Sequence, residues 1–196
     1  QHGPKATYLA FQQGVGTCLL DQWIPENPLT MGVGGYAGEK RATTGLERVV
    51  VDGIHIDSPE AVVEHLTSVA FPALRRQAAD FSEDVRVQEI VAAEQQVQQV
   101  LGPEILKSGH GYVRFPTFAY GTYGYEPYFS AYALFPEIIE QHFQLQSEVA
   151  RANNRAAVRA ISQGALPPLC RLDHDMADSR GTLVHIESLD RLWVPH

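Results

Sequence analysis

The sequence predicts an α/β fold built on a parallel sheet, and three observations predict it. First, the second half alternates strand chemistry with helical stretches: a strand over 109–115, a long helix from Pro136 to Gly164, a strand over 166–172 and a helix opening near Ile186. Second, the two strands feed loops dense in chemistry-bearing side chains. Parallel folds place their sites there, at the carboxyl ends of strands. Third, 196 residues with 44% hydrophobic and 19% charged content suit one domain with a proper core.

The elements follow in chain order. Residues 6–11 (Ala-Thr-Tyr-Leu-Ala-Phe) carry the β-branched and aromatic side chains of a strand. Gly14 and Gly16 follow, then an apolar stretch from Cys18 to Ile24. A loop rich in Pro and Gly runs over 25–38, where Gly32, Gly34 and Gly35 mark tightly turning backbone. Residues 48–56 read as strands around a turn at Asp52-Gly53, a hairpin signal. Ser58-Pro59-Glu60 starts a helix with a capping serine, a proline at the first position and an acid facing the dipole. Val62, Val63, Leu66, Val69 and Ala70 form its apolar stripe, and Pro72 predicts a kink or break near Phe71. A second helix starts near Ser82, runs through Val85, Ile90, Val91, Val97 and Leu101, and ends at Gly102-Pro103.

Composition excludes several function classes. The net charge of −8 repels phosphate backbones and anionic membranes, so neither nucleic acid nor membrane is an expected partner. No apolar run reaches the ~20 residues that cross a bilayer. Cys18 and Cys170 lie far apart in sequence, without zinc-type spacing or a disulfide framework, and a reducing cytoplasm is the expected location. Gly32 to Gly35 lack the Lys-Ser/Thr of a phosphate loop, and no Gly-x-Ser-x-Gly elbow is present.

Two segments carry the candidate site. The loop 173–181 groups Asp173, His174, Asp175, Asp178, Ser179 and Arg180 at a strand end. Carboxylates there can move protons, hold a cationic ring or bind a metal; equally, they can cap a helix and pair with Arg180. The segment 115–125 sets Phe118, Tyr120, Tyr123 and Tyr125 among Gly121 and Gly124. Such rings can line a pocket for a flat ligand or pack beneath the long helix, and the glycines favour the pocket. His55, His65, His110 and His142 read as ordinary core or surface histidines.

These residues resemble a known family. Gly111 to Pro116, the aromatic segment with Tyr123, the Pro136-Glu137 helix start with Gly164 at its end, and Asp173 to Val184 are similar to the central part of the uroporphyrinogen decarboxylase superfamily. That superfamily includes corrinoid-dependent methyltransferases, and the likeness covers residues 56–196. It implies a TIM-type (β/α)8 barrel with the site at its carboxyl face. A full barrel takes about 250 residues. The chain is therefore expected to be a single domain over 1–196 representing part of a barrel, with a homodimer completing one as the second route. The implied chemistry is methyl transfer to or from a corrinoid or a thiol, with zinc and corrinoid as cofactors. The alternatives are cofactor-free decarboxylation of a tetrapyrrole, or non-catalytic tetrapyrrole or corrinoid binding. An arginine-rich loop near Tyr8 and an early catalytic aspartate, both decarboxylase features, are not evident, which favours methyl transfer. The resemblance gives Tyr123 as the substrate-facing tyrosine and Asp175 as the second acid of a strand-end pair. His174 would shuttle a proton. Asp173, Asp178, Tyr120, Tyr125, Phe118 and Arg180 would bind substrate. The implied zinc ligands, a His-x-Cys and a later Cys, would fall beyond His196. A corrinoid protein is the implied partner.

Overall fold

A computed structural model describes residues 3–25, 49–110, 112–172, 174, 176–178 and 181–196. The glycine-rich loop around Gly32 to Gly35 lies outside the described residues. The chain divides into two compact units. One comprises Gln1–Glu39, Ser82–Arg114 and Asn153–Asp173; the other comprises Lys40–Phe81, Phe115–Ala152 and His174–His196.

The expected barrel is not what the chain forms. The described residues are 61% helical and 10% strand. The strands of the described residues pair into four two-stranded sheets, none of them closed. The first unit opens with α1 (Pro4–Gly14), where a strand was expected over 6–11. Pro4 stands in its first turn, and Lys5, Ala6, Leu9, Ala10, Gln12 and Gln13 are good helix formers that outweigh Thr7, Tyr8 and Phe11. Strand β1 (Leu19–Leu20) pairs in parallel with β4 (Leu106–Lys107). Strand β5 (Gly109–His110) pairs in parallel with β6 (Cys170–Arg171). Of the strands expected in the second half, β5 and β6 do pair in parallel, but over two residues only, and the β1–β4 pair was not expected. Pro167 and Pro168 explain the shortness of β6, since neither has an N–H to give a ladder.

Helix α4 (Glu83–Leu101) begins where Ser82 caps it, the hydroxyl accepting from Val85 N–H at 3.4 Å. Val87, Ile90 and Leu101 of α4 are buried with Ile105 and Tyr112, as are Ala156, Ala157 and Ala160 of the long helix α7 (Pro136–Gln163). Arg155 and Arg159 of α7 reach Glu83 and Asp84, with closest approaches of 2.6 Å. In the same unit, the buried Lys107 ammonium donates to Glu94 at 2.9 Å, to the Ser108 carbonyl at 2.6 Å and to the Asp21 carbonyl at 3.1 Å. All three of its protons are thereby used, which is how a buried charge becomes tolerable.

The second unit holds the aromatic core. Strands β2 (Val49–Val51) and β3 (Ile54–Ile56) form the expected antiparallel hairpin. Asp52 and Gly53 turn it with φ of 48° and 83°, the left-handed pair that a two-residue hairpin turn requires. Helix α2 (Pro59–His65) starts at Ser58, whose hydroxyl accepts from Ala61 N–H. Of the kink or break expected near Phe71, the chain shows a local distortion and no break. One π-helical stretch, Leu66–Ala70, joins α2 directly to α3 (Phe71–Ala79), with Phe71 N–H reaching back to the Leu66 carbonyl. The wider turn takes up the proline's missing donor while the chain stays helical. The segment expected as an aromatic loop is helical from Tyr120: α5 (Tyr120–Tyr123) and α6 (Tyr125–Leu134), with Gly124 between them at φ 86°. A short hairpin, β7 (Ala177–Asp178) with β8 (Gly181–Thr182), leads to α8 (Ile186–Leu192).

Candidate functional site

The second unit contains an open cavity of about 450 Å³ with Phe118 in its lining. Ala70 and Leu74 contribute apolar lining, and Thr122, His142 and Gln146 supply polar atoms. The sequence explains this placement. His142 and Gln146 are one turn apart on α7, so they share a face. Gln146 is itself fixed by the segment before α5. Its Oε1 accepts from Thr117 N–H at 2.8 Å, and its Nε2 donates to the Thr117 carbonyl at 3.1 Å. The same Nε2 lies 3.1 Å from His142 Nε2. Burial, reinforced by nearby His65, pushes the His142 imidazole down to about 4. It is a neutral ring at physiological pH.

A second polar cluster stands in the same unit. The buried His65 ring is 2.8 Å from the Tyr123 hydroxyl through Nδ1 and 3.1 Å from Asp52 Oδ2 through Nε2. With the proton on Nε2 facing Asp52, the Tyr123 hydroxyl donates to Nδ1. Burial and then the Asp52 charge hold the Tyr123 phenol well above its ordinary range, so it remains a donor. The Tyr123 ring is parallel to that of Tyr128, centroids 6.1 Å apart.

The sequence-proposed residues fall into three groups. Phe118, Tyr123, Tyr120, Tyr125 and His174 are gathered in this unit. Phe118 meets Phe143 at 4.9 Å and stacks on His174 at 5.9 Å. Tyr120 and Tyr125 stack on each other at 4.8 Å. Of these five, Phe118 alone lines the cavity; Tyr123 is buried and hydrogen-bonded to His65. Asp178 contributes backbone to β7. Asp173, Asp175, Ser179 and Arg180 lie outside the described residues. Sequence reading passed over Asp52, His65 and His142. Asp52 reads as a turn residue, and its partners His65 and Tyr123 are distant in sequence. Only the capped start of α2 and the α7 periodicity gave those histidines a face.

In the first unit, burial and then Glu94 push the Cys170 thiol upward and hold the Tyr112 phenol above its ordinary range. Among the described residues no group of three or more His, Cys, Asp or Glu is placed to hold a metal ion. A protonated Cys170 beside a carboxylate is likewise a poor thiolate ligand. The described residues thus do not fit a zinc centre, and no chemistry is assigned through one.

Comparison with known proteins found no matching family model, no similar curated protein and no similar solved structure. No helix of the described residues is long and apolar enough to cross a membrane.

Proposed function

We propose that the chain is a uroporphyrinogen decarboxylase-like enzyme of the reducing cytoplasm that transfers a methyl group between a corrinoid and a small thiol, with the thiol seated in the cavity over Phe118. The cavity supports the methyl-transfer branch. At about 450 Å³ it lies in the range of small-molecule sites. Among the described residues its lining contains no lysine or arginine. A tetrapyrrole polycarboxylate needs cationic partners for its acid groups, so tetrapyrrole decarboxylation is the weaker reading. A bound methylcorrinoid would supply a methyl cation equivalent and retain the electron pair of the carbon–cobalt bond, and the thiol's proton would leave to solvent.

The chain's own side chains bind and orient. Moving a proton from a thiol of ordinary pKa to His142, held near 4, would cost roughly 6 kcal/mol. His142 therefore serves as a neutral hydrogen-bond acceptor and not as the base. Thr122 offers a second polar contact, and Phe118 packs against the methyl-bearing end. The test is anaerobic incubation with methylcobalamin and 2-mercaptoethanol, followed by visible absorbance. Thiol-dependent demethylation that falls at least tenfold in His142→Ala is expected. Consumption of uroporphyrinogen instead would transfer the assignment to decarboxylation. A cobalamin spectral shift without turnover would leave a binding module.

A further inference from the structure

A second cavity, of about 310 Å³, lies in the same unit between α6 and α8 and is independent of the reading above. The observations point to an anion site with an apolar floor. His185, Ser188 and Arg191 follow one another at intervals of three residues, so they form one stripe along the start and length of α8. Phe129 of α6 and the buried Val184 and Leu192 supply apolar surface. The Tyr132 hydroxyl and Ser188 Oγ are 2.7 Å apart. One of these two hydroxyls donates to the other, which leaves the second O–H as a donor toward the cavity.

Charge decides the ligand's sign. Among the described residues Arg191 makes no ion pair, although Glu187 stands one turn away on its own helix. Glu187 instead faces His185 at 4.0 Å. Asp190 is the remaining acid of α8. Among the described residues the cavity lining contains no carboxylate. A planar guanidinium beside a hydroxyl donor is suited to a carboxylate, which it grips through two oxygens. The apolar floor asks for a hydrophobic body on that carboxylate. We propose that this cavity binds a small aromatic or aliphatic monocarboxylate, its carboxylate held by Arg191 and the Ser188–Tyr132 hydroxyl pair and its apolar end on Phe129, Val184 and Leu192.

Benzoate is the probe, titrated into the whole chain by calorimetry, with benzyl alcohol as the neutral counterpart and inorganic phosphate as the alternative anion. Binding of benzoate at least tenfold tighter than benzyl alcohol is expected. Arg191→Gln should weaken it at least tenfold, and Arg191→Lys should restore part of the loss. Arg191 is exposed, so neither change threatens the fold. Ser188→Ala should weaken binding by a smaller factor. Equal binding of benzyl alcohol, unchanged binding in Arg191→Gln, binding of phosphate but not benzoate, or no binding at millimolar benzoate would each overturn the assignment.

Discussion

At the scale of single residues, burial has different consequences for the two histidines beside the aromatic core. His65 has partners on both ring nitrogens, Tyr123 and Asp52, and each such bond is worth about 1 kcal/mol net, more where charge is involved. His142 is buried with an amide and aromatic rings, and among the described residues it meets no carboxylate. Its proton is therefore expelled on folding. The folded value near 4 lies below the unfolded 6.5. Above pH 6.5 both states are neutral there and His142 adds no pH dependence. As pH falls from 6.5 to 4 the unfolded chain takes up a proton that the folded one refuses, and stability drops by about 3 kcal/mol from this group. His142→Leu removes that share. Urea midpoints at pH 7 and pH 5 should fall more steeply for the parent than for the variant, by roughly 2 kcal/mol. Equal slopes would mean that the ring is protonated in the folded chain.

At the scale of elements, the end of α7 shows how two adjacent residues can hold each other's natural places. Gly164 is the expected stop signal, yet the left-handed residue is Ala165, at φ 49°. The glycine is required for another reason. A Cβ on Gly164 would stand 2.8 Å from Val91 Cγ2 and 2.9 Å from the Ala160 carbonyl oxygen, so the helix end approaches α4 too closely for any side chain. Ala165 then adopts the left-handed conformation at a cost of about 1 kcal/mol. Ala165→Gly should raise stability by up to about 1 kcal/mol, and Gly164→Ala should lower it by about 1–3 kcal/mol, each read from urea unfolding. A loss from Ala165→Gly would show that the alanine methyl is packed and not strained. The same region shows what the sequence made legible. Caps and stops at Ser58, Ser82, Pro136 and Gly164 were readable because they act within a turn or two of the chain. The helix over 4–14 and the helical character after Tyr120 were not, because β-branched and aromatic residues there masked the helix formers around them.

At the scale of the whole molecule, periodicity and capping predicted most of the helices, and the hairpin at Asp52-Gly53 was readable from two residues. The barrel was not legible as absent. Alternation of helix and strand chemistry in the second half pointed to parallel strands near 109–115 and 166–172, and β5 with β6 pair so, but alternation does not say how far a ladder extends or whether further strands join it. The cavity residues were hidden for a related reason: Phe118, His142 and Ala70 come from separate segments whose proximity no local pattern records. The division into two units carries a measurable consequence, because each contains one tryptophan, Trp23 in the first and Trp193 in the second. The units differ in core. The second buries Phe71, Phe118, Tyr123, Tyr128, Tyr132 and Phe143 together with Val62, Leu66 and Ile139. The first relies on Val87, Ile90, Leu101, Ile105 and Tyr112 with alanines, and its α1 has no buried residue. Aromatic and branched side chains contribute about 1.5–3 kcal/mol each on full burial, and alanines far less. Trp193→Phe leaves Trp23 as reporter of the first unit, and Trp23→Phe leaves Trp193 as reporter of the second. The Trp23 fluorescence transition should come at lower urea than that of Trp193. Lys107→Met, which strands Glu94 inside the first unit, should move the Trp23 midpoint downward by the equivalent of about 3–5 kcal/mol. If both reporters instead move together, the chain unfolds as one cooperative body and the difference in core size has no independent expression.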